Sequence, residues 1–130
     1  MAGLLLEGVS VLVVEDHTES REGYALWLAH MGASISTAEN AIDAYALLSN
    51  GLTPSVVLTD FHMPGMDGIA FLRSVRDQLG SRIPVVSISG DVLAARRLAE
   101  AGFDACLVKP VSGPVVADAI ARVSARDASA

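Results

Sequence analysis

The sequence VVLTDFHMPGMDG, residues 56–68, joins an apolar run to a carboxylate and then to a loop that contains proline and glycine. Val56, Val57 and Leu58 are typical of a strand that is buried on both faces. Asp60 follows almost at once, and burying an ionised carboxylate costs several kcal/mol unless it is paired or solvated. Asp60 therefore either caps nearby backbone or lies at the end of a strand where its charge is used.

The segments on both sides of this stretch alternate between strand and helix patterns. Strands are predicted at residues 9–14, 33–37, 55–59, 83–89 and 105–108, with the second strand at an edge. Helices are predicted from residue 16 to 31, 40 to 48, 67 to 79, 91 to 101 and 114 to 123. Five such units with short connections favour right-handed crossovers, and so an α/β fold with a parallel sheet between two helical layers.

Length and composition fit one domain without a membrane segment. The chain has 130 residues, of which 52% are hydrophobic, and its mean hydropathy is +0.46. No apolar run approaches the roughly 18 residues that span a bilayer, so no membrane insertion is expected. Glu7 and the lack of basic residues near the start argue against a signal peptide. The predicted division is a leader at 1–8, the domain at 9–123 and a flexible tail at 124–130.

Cysteine, histidine and charge exclude several classes of function. One cysteine, Cys106, excludes an internal disulfide and a cysteine zinc site, and it fits a cytoplasmic location. The histidines are scattered and are interpreted as surface or loop residues. The net charge of −6 argues against direct nucleic-acid binding. Arg21 is the sole basic residue as far as Leu72, and Lys109 is the only lysine in the chain.

Chemically active residues collect where the predicted strands end. In open α/β sheets the ligand crevice lies beyond the carboxyl ends of the strands. The residues at those positions are Glu15, Asp16, Asp60, Ser89, Gly90, Lys109 and Pro110. Clustered carboxylates repel, and their oxygens suit Mg²⁺, while a lysine ammonium can meet a phosphoryl oxygen. The set predicts a phosphoryl-transfer site with a carboxylate nucleophile.

Each of these residues also has a purely structural explanation. Asp16 with Glu19 could cap the first helix, and Ser89 could be a turn residue. Lys109 and Pro110 could form a surface turn. The joint position of all of them at strand ends, in a chain otherwise without lysine, favours the functional interpretation.

The chain resembles the receiver domains of two-component response regulators, including chemotaxis receivers and those of hybrid histidine kinases. The matching stretches, from residue 9 to about residue 123, are VLVVEDH, AENAIDA, VVLTDFHMPGMDG, IPVVSISG and LVKP. The resemblance implies a flavodoxin-like sheet of strand order 2-1-3-4-5. It further implies that Asp60 is the phosphoacceptor and that Mg²⁺, for which Mn²⁺ can substitute, binds Glu15, Asp16, Asp60 and the backbone carbonyl of His62.

The same resemblance implies roles for the remaining site residues and for partners. Ser89, Gly90 and Lys109 would contact the phosphoryl group, and the bond between Lys109 and Pro110 would be cis. A sensor histidine kinase or phosphotransfer protein would donate the phosphoryl group, and an effector would read the face of helix 4, strand 5 and helix 5. Such a domain is a signalling module with self-catalysed phosphotransfer and slow autodephosphorylation, rather than an enzyme.

Two positions depart from the usual receiver pattern, and two alternatives stay open. His62 stands where methionine or asparagine is common, and Cys106 stands where an aromatic switch residue is usual; with Asp91 and Pro110 they are interpreted as modulating residues. One alternative is a pseudo-receiver that only docks partners. The other is a phosphohydrolase with an aspartate nucleophile, which requires a second aspartate where His62 stands.

Overall fold

The computed structural model describes residues 4–61, 67–78, 80 and 82–129. Strands and helices alternate through this part of the chain, in the order β1 (Ser10–Val14), α1 (Thr18–His30), β2 (Ser34–Ala38), α2 (Ala41–Ser49), β3 (Val56–Asp60), α3 (Gly68–Arg73), β4 (Val85–Ser89), α4 (Val92–Ala101), β5 (Ala105–Val108) and α5 (Gly113–Ser129). The strands form one parallel sheet in the order β2-β1-β3-β4-β5. The predicted fold class, the strand order and the edge position of β2 are confirmed.

The central strands are apolar on both faces because each face is covered by helices. In β1, Val11 and Val13 pack on the side of α1 and α5, whereas Leu12 and Val14 pack on the side of α2, α3 and α4. The strands β3 and β4 are buried along their whole length. Two apolar layers therefore hold β1, β3 and β4 rigidly side by side, and the residues that follow these strands inherit their spacing.

Side chains at the helix starts satisfy backbone N–H groups that have no partner within the helix. Asn40 accepts a hydrogen bond from the Asp43 N–H at 2.7 Å, and Asp67 accepts one from Ala70 at 2.8 Å. The second and third helices were predicted to begin at these two residues, which are common N-cap types. Gly102 ends α4 in the left-handed region, with φ of 110°.

Two helices differ in extent from the sequence prediction. The third helix was predicted as one α-helix to residue 79, but α3 ends at Arg73 and a wider π-helical segment, Ser74–Gln78, follows it. Val75 in this segment is fully buried, so the wider turn still meets the core. The last helix was predicted to end at Val123 and continues to Ser129. The division into leader, domain and tail stays a prediction, although Leu6 of the leader is fully buried against the core.

The single tryptophan lies on the start of α5. Although Trp27 packs on this segment, 37% of the residue is exposed. A Cβ atom at Gly113 would lie 2.5 Å from Nε1 and Cε2 of the Trp27 indole. The ring therefore occupies the space that any other residue at position 113 would need, and it joins α1 to the segment that follows β5.

We expect Gly113→Ala to destabilise the fold by about 1–2 kcal/mol, because the added methyl group must displace the Trp27 ring. Gly23→Ala in α1 is the matched control: it has no atom within 4 Å of the added Cβ. That control should stabilise the protein by about 0.5–1 kcal/mol through helix propensity. Urea unfolding followed by far-ultraviolet circular dichroism measures both, and equal stabilisation by the two variants would contradict the contact.

Candidate functional site

Three carboxylates meet at the carboxyl edge of β1 and β3. These strands are neighbours, with Val14 opposite Thr59, so Glu15 and Asp60 come out of the sheet side by side. Glu15 is 2% exposed, Asp60 is 9% exposed, and Asp16 faces solvent. One oxygen from each of the three carboxylates lies within 4.8 Å of the others. The sheet thus brings together the acidic residues that the sequence placed at two separate strand ends.

Glu15 carries the electrostatic cost of this arrangement. Burial, and secondarily the charge of Asp60, raise the pKa of Glu15 from 4.5 to about 7. The His17 N–H, 3.3 Å from Glu15 Oε2, donates a hydrogen bond that partly offsets this rise. At neutral pH a proton or a cation must therefore compensate much of the negative charge in the cluster.

Lys109 supplies a positive side chain next to Asp60. Its Nζ lies 3.5 Å from Asp60 Oδ2, at the end of β5. The Lys109 backbone N–H donates to the Ser89 carbonyl at 2.7 Å, which ties the ends of β4 and β5 together. The Lys109–Pro110 peptide bond is cis. Because the contact is long and the Lys109 side chain is 42% exposed, this is a weak, solvent-screened ion pair that other groups can enter.

The hydroxyl of Ser89 is engaged within its own turn. Ser89 is fully buried, and its Oγ accepts a hydrogen bond from the Asp91 N–H at 3.1 Å. The hydroxyl also donates to the Asp91 carbonyl oxygen, at a long distance of 3.4 Å. Gly90 between them is exposed, and the Asp91 carboxylate caps α4 through the Leu93 N–H at 2.9 Å. Ser89 thus stands at the strand end as predicted, with a weak donor bond that a better acceptor can replace.

Asp16 is not the N-cap of α1, so the alternative explanation of this residue as a helix cap is wrong. The N-cap of α1 is His17, whose Nδ1 accepts from the Ser20 N–H at 3.3 Å and lies 2.9 Å from the Ser20 hydroxyl. The carboxylate of Asp16 is consequently not used as the helix cap. It remains with Glu15 and Asp60 in the cluster.

The residues interpreted as modulating lie only partly within the part of the chain that the structure describes. His62, whose backbone carbonyl the resemblance implies as a metal ligand, lies outside the described residues. Cys106 pairs with Ser87 inside the sheet and packs against the layer formed with α2, α3 and α4. Burial raises the pKa of the Cys106 thiol, as expected for a residue that packs rather than reacts. Cys106 is therefore apart from the carboxylate cluster.

Sequence reasoning gave no role to Arg21 or Tyr24, both of which approach the cluster from α1. Arg21 Nη1 donates to the Glu15 carbonyl oxygen at 2.9 Å. Burial and the charges of Glu15 and Asp60 raise the pKa of Tyr24. The signal for Arg21 was its isolation as the sole basic residue of the first 72. For Tyr24 no signal separates it from an ordinary core residue of a helix.

The donor set fits a hard divalent cation. All three close groups are carboxylates, and Glu15 is buried with a raised pKa, which indicates that the cluster lacks positive charge. Mg²⁺ is bound in proteins through one or two carboxylates, with the remaining positions left for water and phosphate oxygens. The exposed side of the cluster at Asp16 leaves room for such ligands.

We expect the metal-free protein to lose stability as pH rises from 4.5 towards 7. Across that interval the folded state binds more protons than the unfolded state, because the pKa of Glu15 is raised to about 7, so the free energy of unfolding falls with pH. The full effect is on the order of 3 kcal/mol. Urea unfolding at pH 5 and pH 8 in chelator measures it.

Glu15→Gln serves as the reference for this pH effect. It should unfold with less difference between the two pH values than the parent protein does. A parent protein that is as stable at pH 8 as at pH 5, or a Gln variant with the same slope, would contradict the assignment.

Comparison with known proteins identifies related domains over nearly the whole chain. A family model described as the response regulator receiver domain matches residues 11–121. The sensor histidine kinase RcsC of Salmonella typhimurium is 37% identical over 117 residues, which are 88% of this chain and 12% of that protein. The chain thus spans only a small part of the length of this relative.

Solved structures of receiver domains also match nearly the whole chain. The receiver domain of the Francisella response regulator 1452 matches with a TM-score of 0.85 and 24% identity, covering 92% of this chain and 98% of that one. The signal receiver domain of a signal transduction histidine kinase from Syntrophus aciditrophicus matches with a TM-score of 0.82 and 29% identity, covering 91% of each. The first match supports the fold alone.

No helix within the described ranges is long and apolar enough to cross a bilayer.

Proposed function

Since the chain belongs to the response regulator receiver domain family of two-component systems, we propose that Asp60 is its phosphoacceptor. The observation that carries the proposal is the position of Asp60 between the cluster with Glu15 and Asp16 on one side and the Lys109 ammonium on the other. An aspartate in this position is held by a buried strand and lies beside a positive side chain. The phosphoryl donor is a sensor histidine kinase or a phosphotransfer protein.

The proposed reaction is an in-line displacement at phosphorus. A carboxylate oxygen of Asp60 forms the new O–P bond while the N–P bond of a phosphohistidine breaks, and the electron pair of that bond returns to the imidazole nitrogen. Lys109, which already lies 3.5 Å from Asp60, meets an equatorial oxygen of the group in transfer. The step balances without a redox cofactor, because one bond to phosphorus forms while another breaks.

Glu15, Asp16 and Asp60 would hold the divalent cation that receiver domains use. Mg²⁺, when bound, supplies positive charge that offsets the repulsion between these carboxylates and the incoming phosphoryl oxygens. The buried Glu15 would bind the cation from the inner side of the site, and Asp16 would bind it from the side that is exposed to solvent. The carbonyl of His62 is proposed as a further ligand on the resemblance alone.

Ser89 is the proposed switch. The phosphorylated aspartate carries about −1.5 to −2 charges and three strong acceptor oxygens. The Ser89 hydroxyl, now bonded to the Asp91 carbonyl at 3.4 Å, would exchange that long bond for a charge-assisted one. Because Asp91 caps α4, this exchange would move the start of α4 and shift the population of two conformations.

The partners follow from this switch. A downstream effector would read the face formed by α4, β5 and α5, on which Arg96 and Arg97 are exposed. Cys106, in place of an aromatic residue, favours a signal carried by the loop and by charge. A cytoplasmic location, with slow autodephosphorylation to reset the signal, completes the proposal.

Asp60→Asn should abolish phosphorylation, because the amide lacks the nucleophilic oxygen. Acetyl phosphate or a phosphorylated kinase domain, with Mg²⁺, should add one phosphoryl group to the parent protein, measured by intact mass. Asp67→Asn, at an exposed carboxylate that only caps α3, should label like the parent. Undiminished labelling of the Asp60 variant would remove the basis of the proposed function.

Lys109→Arg should slow phosphorylation by about tenfold although it keeps the charge, because a planar guanidinium does not fit a site for a compact ammonium. Lys109→Ala should slow it by about 100-fold, the usual scale for loss of one donor to a developing charge. Arg73→Lys, exposed on α3, is the control. Rates of labelling with acetyl phosphate measure all three, and a parent-like rate in Lys109→Arg would refute the shape argument.

Beryllofluoride separates the two alternative functions from the proposal. With Mg²⁺ a receiver forms a saturable adduct, and a pseudo-receiver that only docks partners forms none. A phosphohydrolase would also turn over phosphate esters. The complete set of carboxylates, hydroxyl and lysine disfavours the pseudo-receiver, and His62 in place of a second aspartate disfavours the hydrolase.

A further inference from the structure

Arg21 lies beside the carboxylate cluster without being a member of it. It belongs to the first turns of α1, and its side chain is 13% exposed. Its Nη1 donates to the Glu15 carbonyl oxygen at 2.9 Å, a short bond from a permanently charged group. Its Nη2 lies 3.9 Å from Glu39, whose side chain is 72% exposed, so this second contact is weak. The firm partner of Arg21 is therefore the backbone between two acidic residues.

The orientation of the Glu15 carbonyl is coupled to the position of Asp16. The peptide group that contains it also contains the Asp16 nitrogen, and a peptide group is rigid and planar. On the other side, the Glu15 N–H donates to the Ala38 carbonyl of β2 at 3.1 Å. The two hydrogen bonds together fix the chain before and after Glu15, and so fix the directions in which the carboxylates of Glu15 and Asp16 leave the backbone.

A restraint is needed here because the carboxylates repel one another. Asp60 is the last residue of β3 and Glu15 directly follows β1, and both are buried, but Asp16 is exposed and lies one residue farther from β1. Without a restraint, rotation of the peptide group between Glu15 and Asp16 would move Asp16 away from Asp60 and relieve the repulsion. The site would then lose the separation of under 4.8 Å that makes it fit one cation.

We propose that Arg21 is a positioning residue, which holds the corner at Glu15 and Asp16 in the geometry that binds the divalent cation. The inference rests on the proposed function, since it takes the cluster to be a cation site. A purely electrostatic view gives the opposite expectation: a guanidinium near the site repels a cation, so its removal should tighten binding. The sign of the change in affinity therefore separates positioning from simple charge.

The test is a Mg²⁺ titration of the full chain, followed by amide chemical shifts, on the parent protein and its variants. Arg21→Met keeps the apolar stem and removes both the donors and the charge; it should weaken Mg²⁺ binding by roughly tenfold or more, the scale for loss of a group that orients a metal ligand. Arg21→Lys keeps a charged donor and should recover part of the affinity. Glu39→Gln removes the weak ion pair alone and should bind like the parent.

The melting temperature without metal, measured in parallel, separates positioning from general stability. A variant that melts lower yet binds Mg²⁺ with parent affinity, or Arg21→Met binding as tightly as the parent or more tightly, would overturn the inference. If Arg21→Met does not fold, Arg21→Leu removes the donors and the charge in the same way with a shorter apolar side chain. A parent protein that does not bind Mg²⁺ would instead overturn the proposed function.

Discussion

The repulsion among three carboxylates at one edge of the sheet is the constraint on which the rest of this structure depends. Glu15 and Asp60 are nearly buried, and the pKa of Glu15 is raised to about 7 by burial and by Asp60. A chain would avoid such a cluster if stability were its only requirement. The surrounding features make sense as means of holding it: buried strands on both sides, Lys109 across from Asp60, and the hydrogen bond from Arg21.

Rigidity and mobility are divided between the two sides of the site. On the side of β1 and β3, both apolar layers and the Arg21 bond fix the acidic residues in place. On the side of β4 and β5, the contacts to the site are weak: the long ion pair of Lys109 and the long donor bond of Ser89. A phosphoryl group placed between them would gain most by recruiting the weakly bound side, which leads directly into α4.

The sequence predicted the fold well because each level of information agreed. Apolar runs of five or so residues marked the central strands, and Asn40, Asp67 and Asp91 marked helix starts that the structure confirms. The errors have local physical causes. α3 widened into a π-helical segment whose Val75 remains buried, and α5 continued past Val123 to Ser129.

The sequence by itself determined which residues collect at the site, because the carboxyl ends of adjacent parallel strands must meet at one edge. The acidic residues and Lys109, which it predicted in this way, do lie together, and Ser89 lies at the end of β4 as predicted. Only the tertiary structure decided how they are bonded, since partners far apart in sequence are set by packing and not by local pattern. The contact of the Lys109 ammonium with Asp60 and the contact of the Trp27 ring with Gly113 both depend on that packing.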